Sequence, residues 1–212
     1  MKKLDTTLYF ITDSTNYERD EFLRRVRSAL EGGVTIIQLR EKNRTTREYI
    51  DIANDVHEIT KEFGVPLIID DRIDVMLAED CEGVHVGAED MPVAKARELI
   101  GKDKILGATA KTVEAAVSAC NDGADYLGVG AIYPTTTKVK TVLTSTETLD
   151  AITKAVPIPV NAIGGLNSGN IRILKGIDIA GVCAVSAIMK AVCPRIAAEE
   201  LKNAFEDLRR HA

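Results

Sequence analysis

Short hydrophobic runs alternate with longer amphipathic segments along most of the chain. The runs are rich in Val, Ile, Leu and Tyr and are apolar at consecutive positions, which is typical of buried strands in a parallel sheet. They predict eight strands, at residues 8–12, 35–40, 66–70, 83–86, 105–109, 126–129, 159–162 and 182–185. The segments between them repeat apolar residues at helical spacing, so the sequence predicts strands that alternate with helices.

The clearest helical segment spans residues 45–63 and carries one apolar stripe. Thr45 with Glu48 is the sequence signature of a capping box at its start. Gly64 follows where such a helix should end, because glycine readily adopts the left-handed conformation that stops a helix. A last helix is predicted over 195–210.

Parallel strands need crossover connections of a dozen or more residues, which the helical segments supply. Eight such units in 212 residues predict an α/β fold, a (β/α)8 TIM barrel that forms a single domain over residues 1–212. The alternative is an open doubly wound sheet, which normally has about five or six strands and a glycine-rich fingerprint after the first. The first strand is followed instead by Asp13, Ser14, Thr15 and Asn16.

Charge and composition narrow the classes of partner. The chain has 27 Lys and Arg against 32 Asp and Glu, a net charge of −5, so we expect no nucleic-acid partner. The apolar runs 8–11 and 180–189 are too short for a signal sequence and a membrane span, so we expect no membrane partner. The four cysteines show no spacing typical of metal sites or disulfides, so we expect buried free thiols in a cytoplasmic protein. They are Cys81, Cys120, Cys183 and Cys193.

Polar residues at the carboxyl ends of the strands are candidates for chemistry, because the loops there build the site of a barrel. In the second strand, period-two alternation directs Gln38 and Arg40 to the barrel mouth if the residues between them face the helices. Lys42 follows at the rim. An arginine fork and a lysine charge beside an amide suit an anion clamp. An ion pair of Arg40 with Glu41 is the structural alternative.

Carboxylates collect after the third and fourth strands, at Asp70, Asp71 and Asp90. Adjacent like charges repel unless they share a cation, and Mg²⁺ typically binds one or two carboxylates together with substrate phosphates and waters. The pattern therefore indicates a Mg²⁺ site beside a diphosphate. The alternative is that Asp71 and Asp90 cap the helices that follow. His85 lies between two valines, which is more typical of a hydrogen-bonded core histidine than of a ligand.

Two further regions indicate a phosphate site. Gly164 and Gly165 follow the seventh strand and Ser186 follows the eighth, and these two loops commonly form the phosphate site of a barrel. A tight turn is the alternative for an isolated Gly-Gly pair. The loop after the sixth strand offers hydroxyls and a lysine to anion oxygens, at Thr135, Thr136, Thr137 and Lys138. Two anion sites in one mouth predict two substrates.

Several segments, taken in order, resemble the thiamine phosphate synthase family. They are 38–42 (Q-L-R-E-K), 70–74, 83–87 with Asp90, 134–138 (P-T-T-T-K), 163–166 and 185–188. The resemblance covers nearly the whole chain, and the Q-L-R-E-K and P-T-x-T-K pair is its most specific part. It implies that hydroxymethylpyrimidine diphosphate condenses with hydroxyethylthiazole phosphate, after dissociative loss of pyrophosphate, to give thiamine phosphate.

The resemblance also implies roles for individual residues. Those that would hold the pyrimidine diphosphate are Gln38, Arg40, Lys42 and Lys138. Those that would bind Mg²⁺, the implied cofactor, are Asp71 and Asp90. Those that would surround the thiazole phosphate are Thr135, Thr137, Gly164, Gly165, Val185 and Ser186.

Three positions depart from the family pattern: Asp70 stands where Asn is usual, Thr109 where Ser is common and Ala88 where Gln is common. Asp70 and Thr109 are still expected to bind substrate, and Thr109 keeps a hydroxyl. The expected catalytic set neutralises the leaving charge without a protein nucleophile. It consists of Arg40, Lys42, Thr109 and Lys138.

Two alternative functions stay open at this point. A thiazole tautomerase would need an acid or base group in place of the diphosphate clamp, and such relatives have a histidine where this chain has Lys111. A barrel that binds thiamine precursors without catalysis is the second alternative. Either way the expected partners are small molecules, and the sequence leaves a homo-oligomer open.

Overall fold

Eight strands form a closed parallel barrel in a computed structural model, which describes residues 4–135 and 142–210. They are β1 (Leu8–Ile11), β2 (Ile36–Leu39), β3 (Leu67–Asp70), β4 (Gly83–Val86), β5 (Ile105–Ala110), β6 (Tyr126–Gly130), β7 (Val160–Ile163) and β8 (Gly181–Ala184). Each strand pairs with the next along the chain, and β8 closes the ring against β1. The predicted (β/α)8 TIM barrel is confirmed, and the open-sheet alternative is wrong.

Helices connect the strands on the outside of the ring. They are α1 (Arg19–Glu31), α2 (Thr46–Phe63), α3 (Ile73–Ala78), α4 (Val93–Ile100), α5 (Val113–Asn121), α6 (Thr146–Ala155), α7 (Ser186–Met189) and α8 (Pro194–Arg210). A 3₁₀ helix, Ile171–Leu174, lies between β7 and β8. Among the helices of the two described ranges, none is long and apolar enough to cross a membrane.

The predicted capping box forms at the start of α2. The Thr45 side chain accepts a hydrogen bond from the Glu48 backbone N–H at 3.3 Å, and the Glu48 carboxylate accepts one from the Thr45 N–H at 2.8 Å. Gly64 ends the helix in the left-handed region, with φ of 65°. These local signals explain why α2 has nearly its predicted bounds, 45–63.

Strand alternation divides the buried residues into two cores. Residues such as Phe10, Ile37 and Leu39 point outward and pack with the helices in the large core. The alternate residues point into the barrel and form a small core of Tyr9, Ile11, Ile36, Ile68, Tyr126 and Cys183. Among the polar inner residues, Gln38, Asp70 and His85 lie toward the carboxyl ends of their strands, whereas Asn161 lies lower and donates to the Thr6 carbonyl at 2.7 Å.

All four cysteines are free, as predicted. Cys81 and Cys183 are buried, and burial raises the pKa of the Cys81 thiol to about 12. Cys120 and Cys193 are only partly buried, so the prediction of four buried thiols is wrong for these two. Cys120 lies near the end of α5 and Cys193 directly precedes α8, where neighbouring residues leave part of each side chain uncovered.

Candidate active site

A pocket opens at the carboxyl ends of the strands. It brings together residues from nearly every strand end, as the barrel fold requires. The predicted site residues that line it are Gln38, Arg40, Lys42, Asp70, Asp71, Asp90, Thr109, Thr135, Gly164, Gly165, Val185 and Ser186. Two further predicted residues, Thr137 and Lys138, lie outside the described residues.

The side of the pocket formed by β2, β3 and the loop after β4 is charged. We call it the charged rim, and its members are Arg40, Lys42, Asp70, Asp71 and Asp90. Gln38 lies beside it on β2, buried and facing inward, as alternation along the strand predicts. The alternative pair of Arg40 with Glu41 does not form, because the Glu41 carboxylate instead pairs with the Arg44 guanidinium at 2.8 Å.

Within the charged rim, the two cations are already paired with carboxylates. The Lys42 ammonium contacts the carboxylate of Asp70 at 2.7 Å and also that of Asp71, while Arg40 Nε lies 3.8 Å from the Asp70 carboxylate. Burial raises the pKa of Asp70, although the charge of Lys42 opposes the shift. Burial alone would lower the pKa of Lys42, but the two carboxylates outweigh it and raise that pKa.

Asp71 and Asp90 face each other across the charged rim. Neither caps a helix, so the capping alternative is wrong: α3 begins after Arg72 and α4 after Pro92. Instead, the Asp90 carboxylate accepts a hydrogen bond from the Gly87 N–H at 2.9 Å. Burial, a hydrogen bond with Asp71 and the charge of Asp71 together raise the pKa of Asp90.

This pair of carboxylates fits a divalent cation. Two carboxylates in contact destabilise each other's ionised form, and a shared cation removes that repulsion. Within residues 4–135 and 142–210 the structure has no cluster of three or more His, Cys, Asp or Glu side chains that could hold a metal. A site of two carboxylates suits Mg²⁺, which takes its other ligands from substrate phosphates and water.

The opposite side of the pocket is built from backbone. We call it the glycine rim, and its members are Gly164, Gly165, Val185 and Ser186. Gly164 and Gly165 have φ of 104° and 66°, which favour glycine. A Cβ on Gly165 would lie 2.7 Å from Tyr133 Cβ, so a side chain has no room there. The glycine rim therefore offers bare backbone to a ligand.

A hydrogen-bonded histidine lies at the floor of the pocket. His85 Nε2 is 2.9 Å from the Thr109 hydroxyl and His85 Nδ1 is 3.1 Å from the Tyr126 hydroxyl. Burial lowers the pKa of His85 to about 4, so the ring is neutral near pH 7. It is the core histidine that the sequence predicts. Thr109 is half-buried and lines the pocket, as does Thr135.

Sequence reasoning missed three groups that line or support the pocket. Lys111 lines it directly after β5, and its place at a strand end is a signal that could have identified it. Tyr9 lines the pocket and Tyr126 lies beneath it. Both belong to apolar runs, so only the register of the strands reveals that they point inward.

Comparisons with known proteins give matches over most of the chain. Residues 8–188 match the family model described as thiamine monophosphate synthase. The chain is 45% identical over 206 residues to a thiamine-phosphate synthase of Clostridium tetani, covering 97% of this chain and 99% of that one. It is 52% identical over 184 residues to thiamine-phosphate synthase 2 of Streptococcus pneumoniae, covering 87% and 88%.

A solved structure is similar over the same extent. The thiamine phosphate pyrophosphorylase from Pyrococcus furiosus superposes with a TM-score of 0.87 at 40% identity. The match covers 97% of this chain and 98% of that chain. The similarity therefore extends over the whole barrel.

Proposed function

The chain belongs to the thiamine monophosphate synthase family, whose members are transferases of thiamine biosynthesis, and on that basis we propose that it joins hydroxymethylpyrimidine diphosphate to hydroxyethylthiazole phosphate. The observation that carries this proposal is the pairing, in one pocket, of the charged rim with the glycine rim. The first suits a diphosphate and the second a monophosphate. A pocket with two different anion sites is what a reaction between these substrates requires.

The diphosphate binds at the charged rim. Arg40 and Lys42 are held there by Asp70 and Asp71, so both are in place before substrate arrives. Three carboxylates outnumber two cations in this rim, which alone would repel a diphosphate. The residues Asp71 and Asp90 would therefore hold Mg²⁺. Held there, Mg²⁺ would supply positive charge that makes the diphosphate a better leaving group.

Thiazole phosphate binds at the glycine rim. Gly165 and Ser186 are exposed and line the pocket there, and Thr135 lines the same pocket. Peptide N–H groups can donate to phosphate oxygens without the desolvation of a further charged side chain. Binding at the two rims directs the thiazole nitrogen toward the methylene carbon of the pyrimidine, which supplies the positioning that a two-substrate reaction needs.

Bond breaking precedes bond formation. The bond between the methylene carbon and the diphosphate oxygen breaks, and the electron pair leaves with pyrophosphate. The aminopyrimidine stabilises the resulting methylene cation, and the thiazole nitrogen donates its lone pair to form the new carbon–nitrogen bond. Arg40 and Lys42 stabilise the leaving charge, as we expect of Lys138, so the chain needs no nucleophile of its own.

Purified protein, both substrates and Mg²⁺ provide the test. We expect thiamine phosphate and pyrophosphate in equal amounts, and a requirement for the metal after treatment with a chelator. Isomerisation of a thiazole phosphate tautomer without condensation would favour the tautomerase alternative. Binding of both substrates by folded protein without any product would favour the non-catalytic one.

A further inference from the structure

A continuous line of hydrogen-bonded side chains crosses the barrel interior beneath the pocket. Gln38 Nε2 donates to the Tyr9 hydroxyl at 3.0 Å, and the Tyr9 and Tyr126 hydroxyls are 2.6 Å apart. Tyr126 is 3.1 Å from His85 Nδ1, and His85 Nε2 is 2.9 Å from the Thr109 hydroxyl. Both ends of this line, Gln38 and Thr109, face the pocket. We call the three residues between them, Tyr9, Tyr126 and His85, the buried relay.

One arrangement of donors gives every hydroxyl hydrogen along this line an acceptor. The Tyr9 oxygen accepts from Gln38, and the other hydrogen-bond partner of Tyr9 is the Tyr126 hydroxyl, so in this arrangement Tyr9 donates its one hydroxyl hydrogen to the Tyr126 oxygen. Tyr126 then donates to Nδ1 of His85, and a ring that accepts at Nδ1 carries its proton on Nε2. That proton goes to the Thr109 oxygen, which leaves the hydrogen of the Thr109 hydroxyl for the pocket.

The backbone of β5 makes room for this line. Gly107 pairs in register with His85 on one side and Tyr126 on the other. A Cβ on Gly107 would lie 2.2 Å from the Tyr126 hydroxyl oxygen and 2.5 Å from His85 Nδ1. These are the two atoms that share a hydrogen bond. The buried relay therefore depends on a glycine that has no other evident reason to lie in the middle of a buried strand.

We propose that Tyr9, Tyr126 and His85 are positioning residues that hold the Thr109 hydroxyl as a hydrogen-bond donor to the pyrimidine substrate and couple it to the Gln38 amide. The inference rests on the proposed function for the identity of the substrate. With one amide N–H of Gln38 donated to Tyr9, the amide is oriented and its oxygen is left as an acceptor. The two ends thus offer one acceptor and one donor, which complement a ring with an amino group and an unprotonated nitrogen.

The tautomer of His85 tests the buried relay without any assay of activity. ¹⁵N-labelled protein has three histidines, and the His85 signals are those lost in His85→Asn. We expect one neutral tautomer, with the proton on Nε2 and Nδ1 unprotonated. A proton on Nδ1, or rapid exchange between the two tautomers, would overturn the proposal. This outcome stays informative even if the protein makes no thiamine phosphate.

A double-mutant cycle tests the functional link. We expect Tyr126→Phe to lower kcat/KM by about fivefold to tenfold, as loss of one hydrogen bond does, and Thr109→Val to lower it at least as much. Because both substitutions act on the hydrogen bond that the Thr109 hydroxyl donates to the substrate, the kcat/KM of the double variant should be no lower than that of Thr109→Val alone. Thr109→Ser, which keeps the hydroxyl, should retain most activity. Multiplication of the two losses would show that Tyr126 does not act through Thr109.

Tyr49→Phe is the matched control. The Tyr49 hydroxyl is also buried and donates to the Leu39 carbonyl, but Tyr49 lies on α2, in the core between the helices and the strands. We expect a similar fall in Tm and little change in kcat/KM, with no coupling to Thr109→Val. Equal coupling in both tyrosine variants would identify general loosening of the barrel as the cause and would also overturn the proposal. If Tyr126→Phe does not fold, the tautomer of His85 in the unsubstituted protein still tests the proposal.

Discussion

The two rims of the pocket are built in opposite ways. The charged rim works through side chains, and its cations and carboxylates compensate each other within about 4 Å. The glycine rim works through the absence of side chains, since Gly164 and Gly165 adopt positive φ and leave no space for a Cβ. We therefore expect substitutions that remove side-chain atoms to impair the charged rim. At the glycine rim, we expect substitutions that add a Cβ to impair it.

The difference also concerns what each rim needs from outside the chain. The raised pKa values of Asp70 and Asp90 reflect burial, and for Asp90 also the neighbouring Asp71. The carboxylates of the charged rim are thus only partly compensated by its cations, which is the environment that we propose for Mg²⁺. The glycine rim carries no ionisable side chain and is complete as folded. Substitutions should therefore change the metal requirement at one rim only.

The largest effect is expected from Arg40→Ala. Removal of the guanidinium leaves charge on the departing diphosphate uncompensated, so we expect kcat/KM for the pyrimidine substrate to fall about 100-fold to 1000-fold. The KM for the thiazole substrate should change little, because we propose that this substrate binds at the glycine rim. Steady-state kinetics with each substrate varied in turn measures both quantities.

Arg27→Ala is the control for this loss. The Arg27 guanidinium forms two hydrogen bonds with the Glu62 carboxylate, at 2.6 and 2.8 Å, on the outer helices. We expect its kinetics to match those of the unsubstituted protein. A loss of less than tenfold in Arg40→Ala would remove Arg40 from the catalytic set.

A smaller effect is expected from Gly165→Ala. Gly64→Ala is its matched control. The two glycines have φ of 66° and 65°, but only at Gly165 would an added Cβ have neighbours within 4 Å. Positive φ should destabilise both variants by about 1–2 kcal/mol. Only Gly165→Ala should also raise the KM for thiazole phosphate, by about tenfold or more, since the methyl group displaces backbone from the phosphate.

Denaturation and steady-state kinetics on the pair separate strain from substrate binding. Equal kinetics in the two variants would show that Gly165 serves the fold alone. The thiazole phosphate would then bind elsewhere in the pocket.

Asp90→Asn should alter the metal requirement more than the maximal rate. We expect the Mg²⁺ concentration for half-maximal activity to rise about tenfold or more. Because the pKa of Asp90 is raised, activity at limiting Mg²⁺ should begin to fall at a higher pH than an ordinary aspartate would cause. That acid limb should be absent from the variant. Asp55→Asn, on the outer helices beside Arg19, is the control, and an unchanged metal requirement in Asp90→Asn would remove Asp90 from the proposed site.

Much of the fold could be predicted because it is encoded locally. The capping box of Thr45 and Glu48 acts within one turn of helix, and buried parallel strands are recognisable as short apolar runs. The strand bounds differ from prediction by about one residue, as at β5, which continues to Ala110. Such ends depend on the register with neighbouring strands, which a single sequence does not reveal.

Part of the candidate site could also be predicted from local sequence patterns. Gln38 and Arg40 could be directed to the pocket by alternation along β2, since a period of two is a local property. The buried relay could not be predicted, because the contact between Tyr9 and Tyr126 joins residues 117 positions apart. Nothing in the apolar runs around them distinguishes an inward tyrosine from an outward one. The pairing of Lys42 with two carboxylates likewise depends on how the loop after β2 meets the end of β3.

The smallest effect is expected from Asp70→Asn, for which the pKa of Asp70 fixes the sign of the pH dependence of stability. The pKa of Asp70 is raised in the folded protein, so the folded state holds the proton more tightly than the unfolded chain does. Its contribution to stability is therefore present below the unfolded pKa and is lost as pH rises through the folded pKa. The variant, which cannot titrate there, should gain stability relative to the unsubstituted protein as pH rises from the unfolded pKa to the folded pKa of Asp70. Asp74→Asn should do the opposite, because a hydrogen bond with Arg72 lowers the pKa of Asp74, so its stabilising contribution is lost as pH falls. Unfolding by denaturant across this pH range measures both differences, and parallel pH profiles for the two variants would show that burial does not dominate at Asp70.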